Sequence, residues 1–477
     1  MEAAAKALRQ SATGKDLRGF IRYLEEHYPC DVLRVAREVD PIFEATAILS
    51  RLEKEDKFPL VIFEKVKKST IPVVANTHAA FHRNAMAIGL EPDAGPRQFA
   101  AEYARREAAP IEPAVVRTGP CKEVVLKGSE VDLTALPTLK YHEKDAGRYI
   151  THAFTVMKDP ETGIRNAGIY RYQVFDKTTA GIQLSETAHG HYIFKKNLKR
   201  GRPTEIAAVI GHHPAVSLGC LSFTSIDVDE FSIAGAMLGE PIELVRCDGV
   251  DLEVPANCEI VLEGYIDPKE RRPEAPFGEY PGTYGPQRNN PVVHFNRITM
   301  RENPLYQSSF VGHPDNLLMS GLTRLSAILS TVRLACPSVK EVYVPPSGRC
   351  RYVCYVAMEK LIEGDPKNAA MAAFAADPFL KFVVVVDDDV DILKDAEVIH
   401  AIAQRVRWYT DTFQVTHARG SPLDPASYDP AGGSHIVTKV GIDATRKANF
   451  PEEIRVPGTD KVDLDALFGV RWREWGR

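Results

Sequence analysis

Between residues 151 and 299 the chain is cut into short runs rich in β-branched residues, with turn residues between them. Runs 151–157, 182–184, 206–210, 242–245, 259–265 and 292–299 have the length of strands, so this third reads as a β-barrel or sandwich with few helices. The flanks read differently. Asp40 and Pro41, followed by Ile42, Phe43, Ala45, Ile48, Leu49 and Leu52, predict a helix capped by the aspartate with proline in its first turn. Apolar runs 60–63 and 72–75 suit strands. After Gly312, Leu322, Leu325, Leu329 and Val332 mark a helix face, 342–344 and 352–356 read as strands, and Asp365-Pro366 opens another helix. The unbroken apolar run 382–386 is the mark of a strand buried on both faces. Ile399, Ile402 and Val406 then place an amphipathic helix.

The expectation is a multi-domain α/β (α+β) protein. It comprises an N-terminal α/β domain (1–115), a β-rich central domain (116–310), a C-terminal α/β domain (311–455) and a tail (456–477) whose Trp472 and Trp475 could dock on a partner subunit. A length of 477 residues suits about three domains. The net charge of -5 gives no support for nucleic-acid binding, which would need a basic face, and a mildly acidic enzyme surface is the expectation. The eight cysteines include no C-x2-C pair (Cys350 and Cys354 come nearest), which fits reduced thiols in a cytoplasmic protein. The first ten residues lack the apolar core of a signal peptide, and no apolar run reaches membrane-spanning length, so no membrane partner is expected.

Three groups of residues could carry chemistry. In Pro273-Glu274-Ala275-Pro276-Phe277-Gly278-Glu279, a proline and a glycine separate two glutamates, which places them on a shaped loop rather than a helix. Such a pair can divide labour, one ionised and one holding a proton; a solvated acidic turn is the plain alternative. Arg171, closing Asn166-Ala167-Gly168-Ile169-Tyr170-Arg171, can grip a carboxylate with two parallel hydrogen bonds, or can be a structural ion pair. Asn166, His189 and Glu230 offer one imidazole and two oxygen donors, a set suited to manganese or magnesium, with His191 competing for the place of His189. A rival centre is Asp387, Asp388, Asp389 and Asp391, at the end of the buried strand where α/β sheets place ligands, which could hold magnesium for phosphoryl chemistry; a solvated, helix-capping acidic run is the plainer reading and is preferred. No phosphate-binding glycine loop and no G-x-S-x-G elbow is present.

The order and wording of these motifs resemble the UbiD family of decarboxylases. N-A-G-I-Y-R from Asn166 is similar to the family motif with a metal-binding Asn and a catalytic Arg. E-L-V-R-C-D-G-V-D-L-E-V-P-A-N-C-E-I-V-L-E-G-Y-I from Glu243 is similar to its most recognisable segment. P-E-A-P-F-G-E is similar to P-E-G-P-[FY]-G-[ED], with Ala275 in place of the usual glycine. T-K-V-G-I-D-A-T from Thr438 adds to the match, which spans roughly residues 15–450.

The resemblance implies a central split β-barrel carrying prenylated FMN, a cofactor made by a separate UbiX-like prenyltransferase and bound through its phosphate to Mn2+ or Mg2+ plus K+. It implies Asn166, His189 and Glu230 as metal ligands. Asn166, Gly168, Ile169, Tyr170, Arg171, His189, Cys220, Leu221, Ser222 and Glu230 become the cofactor-binding residues, with 219–223 as the segment that meets the monovalent ion and phosphate. Arg171, Glu274 and Glu279 become the catalytic network of a carboxy-lyase, Arg171 orienting the substrate carboxylate and Glu279 donating the proton that replaces it. A homo-oligomer is implied as well. The substrate is a carboxylic acid whose specificity would come from loops such as 312–321 and 421–425, whose polar residues point towards a hydroxylated or heteroaromatic acid. The alternatives are an FMN-dependent oxidoreductase on the same barrel, a non-catalytic cofactor-binding scaffold, and phosphotransfer at the Asp387 cluster.

Overall fold

The computed structural model describes residues 14–186, 188–427, 435–452, 454 and 456–469. Near the start, helix Leu17–His27 is capped by Asp16, whose carboxylate accepts the Gly19 N–H at 2.8 Å. Its Leu17, Phe20, Ile21 and Leu24 recur at i, i+3, i+4 and i+7 and are buried. Beside it lies a four-stranded sheet in the order Val32–Val39, Leu60–Val66, Val73–Ala75, Tyr306–Gln307. The last strand comes from far along the chain, just after the barrel's final strand, and ties this sheet to the C-terminal half. The helix expected from Asp40-Pro41 begins later, at Glu44, and runs to Lys54. The Asp40 carboxylate instead accepts the Ile42 N–H at 2.8 Å, making a turn, and Ile42 bridges to Lys140.

The central region closes into a six-stranded antiparallel barrel. Around it run Ile260–Glu274, Thr204–Ile210, Tyr149–Lys158, Arg165–Val174, Thr179–Ile182 and Arg288–Met300, and the last pairs back with the first. Alternate residues of one strand enter different cores: Ile206, Ala208 and Ile210 join one, Ala207 and Val209 the other. Burial on both faces explains why these strands read as nearly continuous apolar runs.

Few helices are expected here and three are present among the described residues, none of them placed individually by the sequence pattern. Helices His189–Lys199, Pro214–Cys220 and Glu230–Leu238 lie in this third. The last two are buried at every position, so they lack the one-sided periodicity by which a helix is recognised. They pack so closely that a Cβ on Gly219 would stand 2.3 Å from the Ala234 Cα. Gly219→Ala is therefore expected to cost about 2–3 kcal/mol, read from the denaturant midpoint; an unchanged midpoint would contradict this packing.

The C-terminal region is a five-stranded sheet ordered Val339–Tyr343, Val353–Met358, Phe382–Asp387, Ile436–Ala444, Thr412–Arg419. Phe382–Asp387 lies between two parallel neighbours with Val383 to Val386 fully buried, as its sequence predicts. In helix Asp395–Arg405 the buried face is Val398, Ala401 and Arg405, whereas Ile399 is exposed. Helix Pro314–Ala335 is long and apolar enough by composition to cross a membrane, against expectation, yet 61% of that window is buried inside the protein. It is a core helix. Trp472 and Trp475 lie outside the described residues.

Candidate active site

Arg171 projects from strand Arg165–Val174, and Glu274 ends strand Ile260–Glu274 rather than lying on the loop beyond it. Barrel closure brings the two together across 103 positions of sequence. Arg171 Nε and Nη2 each donate to a Glu274 oxygen at 3.0 Å, the bidentate geometry that fixes a guanidinium plane. Nη1 donates to Glu279 Oε1, and the Arg171 Cζ stands 4.8 Å from the Phe277 ring centre. Glu274 and Glu279 are both buried. A guanidinium has five N–H donors; three are committed here, and two remain for an incoming anion.

The loop between the glutamates is held by its backbone. Asp145 Oδ1 accepts the Gly278 N–H at 2.9 Å, Pro276 O accepts the Ala146 N–H at 2.9 Å, and Gln173 Oε1 accepts the Ala275 N–H at 3.1 Å. Gln173 stands two residues beyond Arg171 on the same strand, so both face this loop. Asn290 Nδ2 donates to Glu274 Oε2 at 2.9 Å. Burial and the Glu274 carboxylate push the Tyr149 phenol well above its usual range, so it donates as a neutral group to Gln173 Oε1 at 3.0 Å. Sequence reasoning missed Asp145, Gln173 and Asn290. Only Gln173, by its period-two spacing from Arg171, left a signal.

The expected metal ligands also converge. Asn166 Nδ2 donates to Glu230 Oε1 at 2.6 Å, the Ala167 N–H to Glu230 Oε2 at 2.9 Å, and His189 Nδ1 lies 3.3 Å from Glu230 Oε1. Glu230 opens helix Glu230–Leu238, whose cap, Asp229, pairs with Arg165 at 2.9 Å on the strand that carries Asn166. His189 opens its own helix, fixed where the Gly190 N–H meets Tyr170 Oη at 3.1 Å; a Cβ on Gly190 would stand 2.5 Å from that oxygen. His191 makes no such approach to Glu230 among the described contacts. Among the described residues no three His, Cys, Asp or Glu side chains are grouped to hold a metal. Counting the asparagine amide, the set is imidazole, amide and carboxylate. The Asn166 Oδ1 is buried without a partner, and an orphaned oxygen beside a buried carboxylate fits a hard divalent cation. The residues present therefore fit the metal.

Gly168 and Ile169 lie between Asn166 and Tyr170 on this strand. Of the 219–223 segment, Cys220 is buried, which pushes its thiol up, and the Ser222 hydroxyl donates to Glu107 Oε1. Phe223 is exposed, over the Arg324 guanidinium at 4.7 Å. Ser421 accepts a hydrogen bond from Tyr280 Oη at 2.6 Å, which places the 421–425 turn beside the glutamate loop. Three members of the Asp387 cluster are spent on ion pairs, Asp387 with Arg405 at 2.9 Å, Asp389 with Arg405 and Arg446, and Asp391 with Lys394 at 2.9 Å, and Asp388 is exposed to solvent.

Three family models match the chain in order: the N-terminal, Rift-related and C-terminal domains of 3-octaprenyl-4-hydroxybenzoate carboxy-lyase, over residues 25–103, 114–314 and 317–444. The chain belongs to the UbiD family, and it is a carboxy-lyase. Its structure is similar to that of the UbiD-class enzyme HmfF from Pelotomaculum thermopropionicum in complex with FMN, at 38% identity and a TM-score of 0.88, covering 94% of this chain and 99% of that chain. An evolved dimeric form of HmfF in complex with prFMN gives 36% identity and a TM-score of 0.86, over 95% and 99%. The anhydromevalonate phosphate decarboxylase of Methanothermobacter thermautotrophicus is 36% identical over 87% of this chain and 94% of its own length. The barrel and the two flanking α/β regions expected from the family resemblance are the observed fold.

Proposed function

We propose that this chain releases carbon dioxide reversibly from an aromatic, heteroaromatic or α,β-unsaturated carboxylic acid, with prenylated FMN as cofactor. The observation that carries this reading is Arg171, held in plane by Glu274 and left with two free donors beside Glu279. Asn166, His189 and Glu230 would hold Mn2+ or Mg2+. The strand residues Gly168, Ile169 and Tyr170 and the 219–223 segment would line the cofactor and its potassium ion. When bound, the cofactor supplies an electron sink for the charge left as carbon dioxide departs.

The protein's own residues do the rest. Arg171 binds the substrate carboxylate through its free fork, and Glu274 keeps that fork from rotating. An arriving carboxylate competes with Glu279 for Nη1. Displaced from the guanidinium and set beside another anion, Glu279 is less costly in its neutral form and takes up a proton from solvent water as the substrate enters. It then gives its proton to the carbon that lost the carboxyl group. The buried loop, fixed by Asp145 and Gln173, keeps water from that carbon. A UbiX-like prenyltransferase would supply the cofactor, and the working form would be a cytoplasmic homo-oligomer.

Reconstitution with prenylated FMN, followed by a screen of aromatic and acrylic acids for carbon dioxide release, tests this reading. Release is the expected result. A protein that holds plain FMN, reduces it with a hydride donor and releases no carbon dioxide would instead be an oxidoreductase. For the metal, Asn166→Ala should weaken Mn2+ binding to the FMN-loaded protein by at least about 100-fold, measured by titration calorimetry; unchanged affinity would remove Asn166 from the ligand set.

A further inference from the structure

Between the glutamate loop and the C-terminal region, positive charge is gathered without matching negative charge. Arg351 has its Nε sealed from solvent and without a hydrogen-bond partner, and its Cζ stands 4.5 Å from the ring centre of Tyr280, the residue after Glu279. No carboxylate pairs with it among the described ion pairs. Arg351 is half-buried, whereas Arg324, on helix Pro314–Ala335, is buried. One of its nitrogens pairs with Asp377, its Nε is sealed and unpartnered, and Phe223 covers it. Arg349 donates to Gly312 O at 3.1 Å, and a Cβ on Gly312 would stand 3.0 Å from the Glu279 carbonyl oxygen. The carboxylates that face this group are Asp377, already paired with Arg324, Asp424, paired with Lys381 at 2.9 Å, and the half-exposed Glu53. Lys439, buried, adds a further cation, its ammonium on Pro378 O at 2.9 Å. Burial and the neighbouring Arg324 push Arg351 down to about 10, a measure of how poorly this charge is compensated.

Guanidinium nitrogens sealed from solvent without an acceptor, as the Nε atoms of Arg324 and Arg351 are, are costly and persist where a partner arrives. Arg324 stands against Phe223 on the expected cofactor segment and Arg351 against Tyr280 on the glutamate loop, so both touch elements that adjoin the site already described. We propose that Arg324 and Arg351 form a second anion subsite, and that the acid taken by this enzyme carries a second anionic group, a carboxylate or a phosphate, besides the carboxylate that is lost. This rests on the decarboxylase reading, in which Arg171 takes the first carboxylate. Two cationic poles then orient one substrate, and the planar forks of two arginines suit anionic oxygens on its far end.

The test uses the FMN-loaded protein, so that the cofactor phosphate is already in place. Inorganic phosphate should raise the melting temperature of the native protein and not that of Arg351→Gln. Benzene-1,4-dicarboxylate and 4-carboxyphenyl phosphate should bind the native protein about 10- to 100-fold more tightly than benzoate, and the better of the two identifies the second group. In Arg351→Gln that preference should fall at least tenfold, and Arg351→Lys should restore part of it. No phosphate shift in the native protein overturns the proposal, as does equal affinity for the mono- and dianions. So does an Arg351→Gln protein that loses FMN, since the arginine would then serve the cofactor. If Arg351→Gln does not fold, Arg351→Lys decides: an unaltered preference with an unaltered melting temperature would refute the subsite. These are binding readouts. A dianion preference without carbon dioxide release would refute the decarboxylase reading alone, and release from monoacids without any preference would refute the subsite alone.

Discussion

Glu279→Gln is expected to lower kcat for carbon dioxide release by about 10^2- to 10^4-fold, the usual contribution of a positioned general acid. The amide has nearly the same shape and can still accept from Arg171 Nη1, so the Arg171–Glu274 fork should survive. It has no proton to give. Cofactor and metal affinity should change little, because the residues expected to hold them lie at Asn166, His189 and Glu230. Glu274→Gln should behave differently: it loosens the plane of Arg171, so KM should rise together with the fall in kcat. Steady-state kinetics on cofactor-loaded variants, with bound flavin measured by absorbance, separate the two. Undiminished turnover by Glu279→Gln would remove it from the proton-donor role.

The second large effect is loss of stability in mild acid. His78, His152, His212 and His213 are fully buried where the N-terminal sheet meets the barrel. Ring centres of His78 and His152 are 5.5 Å apart, and those of His152 and His212 5.3 Å. Burial pushes His78 down to about 4, His212 and His213 to about 3, and His152 well below its usual value. In the unfolded chain each takes a proton below about 6.5. Between those values the unfolded state binds more protons, so stability falls as pH drops, by about 1.4 kcal/mol per pH unit for each ring. Asp315 works the other way: burial raises it to about 6, so the folded state takes up that proton first and offsets one ring. From these five groups alone the expectation is on the order of 4 kcal/mol lost per pH unit from about pH 6 to 4. Against a total stability of roughly 5–15 kcal/mol, the protein should unfold within that window. Urea midpoints at pH 7.5, 6 and 5 measure it, and a flat series would contradict the cluster's neutral burial.

How much could be read beforehand depended on whether a residue's role is local. The strands were legible because β-branched runs between turns are a local signal, and Val383 to Val386 declared a doubly buried strand without any neighbour in view. The helix face at Ile399 was misread because an isolated window does not show which side meets the sheet. Helix Glu230–Leu238, apolar on every side, carried no period to find, although it mounts Glu230. The family-like wording around Asn166, Arg171, Glu274 and Glu279 named the site residues where their individual chemistry left them ambiguous between catalysis and simple ion pairing.

The sequence by itself determined the alternation of α/β and β regions and the residue types available to the site, because both follow from patterns within a few neighbouring positions. Which of those residues meet was decided only by the tertiary structure. Closing the barrel sets Arg171 on Glu274, folding a buried helix against a strand sets Glu230 on Asn166, and docking the C-terminal region over the glutamate loop leaves Arg351 without a carboxylate. Those encounters join positions many tens of residues apart. The registers and packing that fix them are properties of surfaces meeting, which no local stretch of the chain contains.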